Sequence, residues 1–329
     1  MTSVWDALAR TPEAARRAGV DFLLQRQDAG GMWSDFQLAP GLSDEWITGY
    51  VGDRLAGLAD TDEALERAWS ALCARRAVRG GHGWGYNVHV PQDADSTAWA
   101  LRLAQHVGSD GDALAVDARA SLVSFVHEDG MLGTYGPTDE IARFINADPN
   151  QDFRGWTAAH PCVTAAAAAV RGVVDPQVLM ATQRPDGRWR SYWWASDTFA
   201  TALTVEALAS VPEAEAARHR AAEWAKHMLT SPGLTAFEVA NLVTVSAVAG
   251  AIDDKVLHGL CFTMLPDGSW PSGALLRVPH PQDTDPDAVI DWLPGGRVEG
   301  AMVEDLRRIF TTATVVHALS MAGAERSET

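Results

Sequence analysis

The chain has little cysteine and no long apolar run, and each shortage excludes a class of protein. Its 329 residues include three cysteines, Cys73, Cys162 and Cys261, which are odd in number and widely scattered. Such a set favours a reducing compartment over a disulfide framework. No stretch approaches the ~18 consecutive apolar residues of a membrane span, and no signal peptide is recognisable. We therefore expect a cytoplasmic protein without a membrane anchor.

Basic residues are also scarce. Lysine and arginine total 26 against 43 aspartate and glutamate residues, so the formal net charge is −17. This charge opposes binding to nucleic acid and to anionic membrane surfaces. Walker, Rossmann and GxSxG motifs are missing as well, which disfavours nucleotide and serine-hydrolase chemistry. Nothing in the composition indicates an oligomeric state.

Tryptophan and a repeating pattern are what the chain has in excess. There are 13 Trp against 9 Phe and 4 Tyr, and hydrophobic residues make up 47% of the chain, enough for a large core. Glycine-rich turns that end in an aromatic residue recur at 27–33, 79–86, 128–135, 184–189 and 265–270. Their Asp-Gly and Gly-Gly pairs supply the positive φ that ends a helix and reverses the chain.

Six segments that are apolar or small on nearly all sides occupy the stretches between and after these turns. They span 44–59, 94–107, 160–174, 196–211, 235–250 and 309–323, and five carry an aligned threonine: Thr48, Thr97, Thr164, Thr201 and Thr312. A helix that is apolar on all sides is buried. Segments with charged faces alternate with them and belong outside: 12–27, 61–78, 111–127 and 213–230.

This alternation predicts an all-α fold, a closed α/α toroid of about six inner and six outer helices in a single domain over 1–329. An open superhelix of helical pairs is the alternative. The apolar character of 309–323 favours closure, because an open array needs a polar cap. Two connections, near 128–159 and 266–308, are long enough to predict lids or binding loops. Proline and acidic residues exclude a regular helix from 279–296 within the second.

In such a toroid the inner helices run in one direction, so their N-termini meet at one mouth. The residues placed there are Glu45, Trp46, Asp93, Asp95, His160, Cys162, Trp194, Asp197, Phe199, Phe237 and Phe310. Aromatic rings with a few acids among them are typical of a pocket for an apolar ligand. We therefore expect the binding site at this mouth.

The stretch "VPQDADSTAWAL" (90–101) places Asp93 and Asp95 one residue apart at the start of an inner helix. Burial raises the pKa of a carboxyl group, and a second carboxylate nearby raises one of the two further. The helix N-terminus favours the anion by only ~0.3–1 kcal/mol. Asp95 is therefore a candidate general acid that keeps its proton at neutral pH while Asp93 stays ionised. A helix N-cap is the structural alternative for either residue.

The sequence "DADSTA" resembles the DxDD-type motif of class II terpene cyclases, the squalene-hopene cyclase superfamily. The turns "QRQDAGGMW", "TQRPDGRW" and "TMLPDGSW" resemble the QW repeats of that family, whose repeat fold also occurs in protein prenyltransferase β subunits. The resemblance implies that Asp95 protonates an alkene of an isoprenoid or prenylated small molecule and so starts its cyclisation or isomerisation. It also implies that Asp93 orients Asp95 and returns its proton, and that Ser96, in place of the motif's last acid, holds a water or extends the hydrogen-bond chain.

The resemblance also implies a substrate and the groups that bind it. Aromatic faces stabilise carbocations through cation–π attraction; the candidates are Trp46, Trp99, Trp156, Trp194, Phe199, Phe237 and Phe310, with His160 and Cys162 as further pocket residues. The substrate is expected to be an isoprenoid-like small molecule, with no cofactor unless a diphosphate brings Mg²⁺. Candidates to meet a diphosphate are Arg143, Arg154, Arg188, Arg190, Arg277 and Arg297. The final base is expected to be a water, Glu45 or Asp197. Cyclases of the family usually have two barrels, whereas one is expected here.

Three other readings stay open. A prenyltransferase-like zinc site would use His160, Cys162 and Asp197, although no CxxC or HExxH spacing supports it. The pattern DxDxT of certain phosphatases would make Asp93 a nucleophile, but alternating strands and helices are missing. A non-catalytic scaffold that binds a lipid or peptide is the third, because a fold does not decide a function. Asp95 discriminates, since a binding protein would tolerate asparagine there and a proton donor would not.

Overall fold

The computed structural model describes residues 11–136, 139–295, 297 and 299–328. Its α-helices are α1 (Pro12–Arg26), α2 (Glu45–Leu55), α3 (Asp62–Arg79), α4 (Ala94–His106), α5 (Ala113–Val123), α6 (Asp139–Ile145), α7 (Arg154–Thr157), α8 (Pro161–Ala168), α9 (Asp197–Ala207), α10 (Glu215–Met228), α11 (Ala236–Val248), α12 (Asp254–Phe262) and α13 (Ile309–Glu328). The strands are β1 (Asp35–Leu38), β2 (Gly41–Ser43), β3 (Leu275–Val278) and β4 (Ala301–Glu304). Turns of 3₁₀-helix cover Pro176–Thr182, Pro212–Ala214 and Pro286–Ala288.

The six apolar segments form a closed ring of inner helices. Each of α2, α4, α8, α9 and α11 packs against the next, and α13 packs against both α11 and α2. Every residue of α2 is buried, as expected for a helix without a polar face. The outer layer consists of α1, α3, α5, α10, α12 and the 3₁₀-helix Pro176–Thr182. The predicted α/α toroid is therefore confirmed, and the open superhelix is wrong.

The ring is closed by contacts between residues that are far apart in the chain. The Tyr50 hydroxyl on α2 lies 2.8 Å from Thr314 Oγ1 on α13. The Asp35 carboxylate on β1 accepts the N–H groups of Arg307, Ile309 and Phe310 at the start of α13. Carboxylate oxygens at a helix N-terminus satisfy amides that have no partner within the helix.

The aligned threonines join each turn to the inner helix that follows it. Thr48 Oγ1 accepts the backbone N–H of Trp33 at 3.0 Å and donates to the carbonyl of the same residue. Threonines at four further positions accept in the same way: Thr97 from Trp84, Thr164 from Leu132, Thr201 from Trp189 and Thr312 from Trp270. The repeat read from the sequence is thus a repeated hydrogen-bond pattern.

The turn tryptophans join each turn to the outer helix before it. Four indole N–H groups donate to a leucine carbonyl at 2.7–2.8 Å: Trp33 to Leu23, Trp84 to Leu72, Trp189 to Leu179 and Trp270 to Leu260. A glycine in such a turn is required by the close approach of the neighbouring backbone. Gly187 has φ +100°, and a Cβ there would lie 2.3 Å from the Arg220 carbonyl oxygen.

Two features differ from the sequence expectations. Two pairs of short antiparallel strands, β1–β2 and β3–β4, occur in a fold that was expected to be all helix. The connection 128–159 also carries α6 and α7, whereas 279–296 holds only a 3₁₀ turn among its described residues. Strands of three or four residues are too short to show alternation in a sequence. None of the described helices is long and apolar enough to cross a membrane. The single-domain boundary 1–329 stays a prediction.

Candidate active site

A cavity opens at the end of the ring where the inner helices begin. The empty space that it encloses, counted together with the open mouth, is about 790 Å³. The inner helices and the turns before them supply Trp46, Asp95 and Trp194. The two long connections cover it, with Ile141 and Phe144 on α6 among their contributions. The expectation that these connections form binding loops therefore agrees with their position.

The two long connections are also tied to each other across the mouth. The Trp156 indole N–H donates to the Pro279 carbonyl at 3.0 Å, and the Gly155 N–H donates to the Pro281 carbonyl at 2.8 Å. The segment that carries Trp193 and Trp194 pairs with β3 through backbone hydrogen bonds. Backbone bonding of this kind holds the cavity's aromatic walls in place.

Asp93 is the N-cap of α4 and also faces the cavity. Its Oδ1 accepts the Ser96 N–H at 2.7 Å, and its Oδ2 accepts the Ser96 hydroxyl at 2.8 Å. The N-cap interpretation and the catalytic interpretation thus apply to the same residue. Ser96 orients the Asp93 carboxylate, and Ser96 and Asp95 lie on the cavity wall beside it.

The environment pushes the pKa values of the two carboxyl groups apart. Burial, reinforced by the charge of Asp93, raises the pKa of Asp95 to about 8, while the indole N–H groups of Trp99 and Trp46 and the charge of Arg102 act to lower it. Burial raises the pKa of Asp93 to about 6, and the hydrogen bonds from Ser96 oppose that rise. Near neutral pH the pair therefore holds one proton, chiefly on Asp95. Asp95 is half-buried and borders the cavity.

Some of the predicted aromatic residues line the cavity, and others pack behind its lining. Trp46, Trp156 and Trp194 line the cavity. Phe199, Phe237 and Phe310 do not: they pack behind Trp194, with the Phe310 ring 4.8 Å from it and stacked. The prediction that these three phenylalanines contact the substrate therefore disagrees with their placement, because the Trp194 indole covers them.

Trp99 is also absent from the wall. It is fully buried one turn beyond Asp95 on α4, and its indole acts on the Asp95 carboxyl rather than on the cavity. Residues four apart on a helix share a face, so this contact follows from the spacing. Trp99 thus lies beside the acid and not among the lining residues of the cavity, and a contact between Trp99 and substrate stays a prediction.

The two acids expected as final bases lie off the wall. Glu45 is fully buried and accepts hydrogen bonds from the Arg79 guanidinium and from the Gly85 N–H. Asp197 forms an ion pair with Arg188 at 2.7 Å and accepts the Ser191 N–H. Each carboxylate is engaged by partners that other elements supply, so neither is placed to take a proton from a ligand.

His160 and Cys162 lie behind the wall and do not form a metal site with Asp197. The His160 ring stacks on Tyr192 at 4.1 Å, and its Nδ1 lies 3.0 Å from Thr134 Oγ1. Burial lowers the pKa of His160 to about 3 and raises the pKa of Cys162 to about 12, so both are neutral. Across the residues with described positions, no group of three or more His, Cys, Asp or Glu side chains could hold a metal ion.

The arginines expected to meet a diphosphate are largely paired with acids. Arg154 pairs with Asp152, Arg188 with Asp186 and Asp197, Arg190 with Asp285 and Asp287, and Arg277 with Asp287. Arg143 and Arg297 are exposed. None of the six lines the cavity.

Sequence reasoning missed several wall residues. Tyr86 and Tyr135 end two of the glycine-rich turns and carried no predicted role, although both line the cavity. Trp193 and Thr134 also lie on the wall without a sequence prediction. The apolar residues of α6 recur at helical spacing, as Ile141, Phe144 and Ile145, and this spacing is the signal that could have found them.

Comparisons with known proteins point to one group of enzymes. The type II terpene cyclase MstE from Scytonema, in complex with merosterolic acid A as product, superposes with a TM-score of 0.89 and 33% identity, covering 98% of this chain and 100% of that one. The same cyclase has been solved with geranylgeranyl dihydroxybenzoate as substrate, at a TM-score of 0.88. A protein from Actinoplanes gives 0.84 at 35% identity, covering 95% of this chain and 100% of that one.

The curated relatives are longer proteins. Labda-7,13-dienyl diphosphate synthase of Streptomyces clavuligerus is 30% identical over 237 residues, which cover 70% of this chain and 40% of that protein. Copalyl diphosphate synthase of Streptomyces cyslabdanicus is 30% identical over 161 residues, 48% of this chain and 28% of that protein. The chain therefore spans less than half the length of the curated relatives it matches. No family model matches the chain.

Proposed function

The chain belongs to the type II terpene cyclases, and from this we propose that it protonates a carbon–carbon double bond of a prenylated small molecule and so starts ring closure. The observation that carries the proposal is Asp95, a half-buried carboxyl group on an aromatic-lined wall. Its raised pKa keeps the proton in place at neutral pH. An acid that is protonated in water-poor surroundings is the group such a reaction needs.

The proposed reaction moves one proton from Asp95 to the substrate and, after ring closure, one proton from the substrate to a water. The Asp95 O–H bond breaks as a new C–H bond forms on one alkene carbon, which leaves a cation on the other. A neighbouring double bond donates its electron pair to that cation and closes a ring. Loss of a proton from carbon then regenerates an alkene. Asp93, held by Ser96, orients Asp95 and helps to restore its proton.

The cavity walls suit a cation. Trp46, Trp156 and Trp194 border the same space as Asp95, and the face of an indole ring attracts a cation. The apolar side chains of α6 and β3 shape the chain of the substrate and limit the access of water. Since Glu45 and Asp197 lie off the wall, the proposed acceptor of the final proton is a water.

The substrate proposed is a prenylated small molecule without a diphosphate. The side chains with carboxyl or hydroxyl groups on the described wall are Asp93, Asp95, Ser96, Thr134, Tyr86 and Tyr135. The hydroxyl groups of Ser96, Thr134 and Tyr86 are already hydrogen-bonded within the protein. The described wall carries no lysine or arginine, and the negative charge of a carboxylate opposes a diphosphate. The complex of MstE with geranylgeranyl dihydroxybenzoate supports this class; the names of the curated relatives support diphosphates instead.

No cofactor is proposed, since transfer of a proton from Asp95 to carbon requires none, and Mg²⁺ would enter only with a diphosphate. A cytoplasmic location is supported by three cysteines that are all free. The net charge of −17 supports a protein with neither a nucleic-acid nor an anionic membrane partner.

The test is incubation in D₂O with geranylgeranyl phenols and with farnesyl and geranylgeranyl diphosphates, followed by mass spectrometry. We expect wild type to convert a prenylated phenol to a cyclised product with one added deuterium, and Asp95→Asn to form none. Release of diphosphate onto an acceptor would instead indicate a transferase. Equal, unproductive binding by both proteins would indicate a scaffold.

A further inference from the structure

Two buried indole N–H groups, those of Trp46 and Trp99, differ from the indole groups of the repeats and of Trp156 and Trp193. The repeat tryptophans donate to leucine carbonyls, and the Trp156 and Trp193 indoles donate to Pro279 and Thr134. The Nε1 atoms of Trp46 and Trp99 are buried, and neither forms a hydrogen bond of regular geometry. A buried donor without such a bond costs roughly 1–3 kcal/mol, so both groups call for an acceptor. The group on which both act is the Asp95 carboxyl.

Both donors lie beside Asp95. Trp99 is four residues after Asp95 on α4 and therefore shares its helix face. Trp46 is in the first turn of α2, which packs against α4, and it shares the cavity wall with Asp95. Both indole N–H groups interact with the Asp95 carboxyl in the sense that favours its anion. The two donors thus approach one carboxyl group from two helices.

Two guanidinium groups lie over the ring of Trp99. Arg102 is 4.3 Å from the ring centroid and Arg54 is 5.1 Å from it. Both arginines are held in place, Arg102 by Asp53 and Arg54 by Glu206. A cation over an aromatic face draws electron density from the ring, which makes the indole N–H a stronger donor.

We propose that the indole N–H groups of Trp46 and Trp99 receive the negative charge that develops on Asp95 as its proton leaves. This inference rests on the proposed function. A hydrogen bond to a carboxylate is about twice as strong as one to a neutral group. The two donors therefore stabilise Asp95 more after the transfer than before it, and only such differential stabilisation accelerates the reaction.

Other groups that act on Asp95 set the pH response. They are Asp93 at the start of α4, Arg102 on α4, Cys162 on α8 and Tyr135 on the connection 128–159. Burial raises the pKa values of Cys162 and Tyr135, so both are neutral near pH 7. Arg102 carries a fixed charge. Asp93 is therefore the neighbour of Asp95 whose charge varies with pH. The pH at which activity falls on the basic side thus reflects the coupled titration of Asp93 and Asp95.

The experiment compares Trp99→Phe and Trp46→Phe with Trp189→Phe. Trp99 is the sharper variant, because it does not line the cavity. Trp189→Phe is the matched control, since it removes an equally buried indole N–H that donates to a carbonyl. We expect Trp99→Phe to lower kcat roughly 10- to 100-fold, the scale of one charge-assisted hydrogen bond. The basic limb of the kcat profile should also move to higher pH by about one unit, with KM unchanged.

A purely structural role for Trp99 would lower activity without moving the limb, and that result would overturn the inference. A second measurement does not need turnover: the difference in Tm between proteins with and without the Asp95→Asn substitution, followed across pH, reports the Asp95 titration. This difference should extend to higher pH in the Trp99→Phe background and be unchanged with Trp189→Phe. If the Tm difference covers the same pH range in the Trp99→Phe background as in wild type, the inference is overturned. If wild type itself adds no deuterium to any substrate, the proposed function fails instead.

Discussion

Asp95→Asn should stabilise the fold as it abolishes turnover, and the stabilisation should depend on pH. In the unfolded chain the aspartate titrates near pKa 3.9; in the fold, burial and Asp93 raise the pKa of Asp95 to about 8. A carboxyl with a raised pKa contributes stability that is complete below about pH 3.9 and is lost as the pH rises towards 8. Asparagine is neutral throughout and loses nothing.

The magnitude follows from the pH scale. Each pH unit above about 3.9 removes about 1.4 kcal/mol from wild type, so the two proteins should differ by about 4 kcal/mol at pH 7 and by almost nothing near pH 4. At roughly 2 °C per kcal/mol, Tm should rise by up to about 8 °C at pH 7. This is an upper limit, because water in the cavity reaches the half-buried carboxyl.

The assay is thermal unfolding of both proteins from pH 4.5 to 8.5 at one scan rate. Asp21→Asn is the matched control, because it removes a carboxyl group at an exposed position on α1. A Tm difference for Asp95→Asn that stays flat across pH, or that is negative at pH 7.5, would refute the reasoning about the buried pair.

Four further predictions concern the carboxyl pair, the need for a metal ion and the repeat. Ser96→Ala should lower kcat roughly tenfold, since Asp93 loses a buried hydroxyl donor; Ser96→Thr keeps the donor and should retain more activity in the same steady-state assay. Turnover should fall above about pH 8 as Asp95 loses its proton; a kcat profile that stays flat to pH 10 would contradict this pH dependence. EDTA should leave turnover of a prenylated phenol unchanged. Gly187→Ala should destabilise the fold by at least about 1–3 kcal/mol in denaturant titration, because a Cβ meets the Arg220 carbonyl, whereas Gly57→Ala, with open space around it, should cost less.

The ring could be predicted from the sequence because its signal is strong and local. The segments 94–107 and 309–323 are apolar or small on nearly all sides, and a helix with that pattern is stable only when other elements surround it. Aligned threonines recur because each repeat uses the same bond between turn and helix, as at Thr48 and Trp33. Repetition therefore reveals the architecture without any knowledge of the contacts.

The membership of the wall could not be predicted, since it depends on contacts between elements. Phe199, Phe237 and Phe310 begin their helices at the mouth as expected, yet the Trp194 indole lies over them. Glu45 also begins its helix there, but Arg79 from α3 engages its carboxylate. Periodicity gives the end of the helix at which a side chain lies and does not give the neighbour that covers it.

The β3–β4 strand pair could not be predicted from the sequence for a different reason. Its strands have four residues each and are separated by more than twenty residues of sequence, so no tight-turn signal joins them. Its Leu276 and Val278 nevertheless line the cavity. The residues nearest the substrate thus come partly from the elements with the weakest sequence pattern, which is usual for sites carried on loops.

Closure of the ring through α2 and α13 has a consequence for biosynthesis. Tyr50 and Thr314, whose hydroxyls meet, are 264 residues apart in the chain, and contacts of such long range slow folding. During translation five inner helices leave the ribosome before their last neighbour exists, with the apolar flank of α2 uncovered. Exposed apolar surfaces of this kind promote aggregation and bind chaperones. The yield of folded enzyme in a cell should therefore depend on the time between the synthesis of α2 and the synthesis of α13.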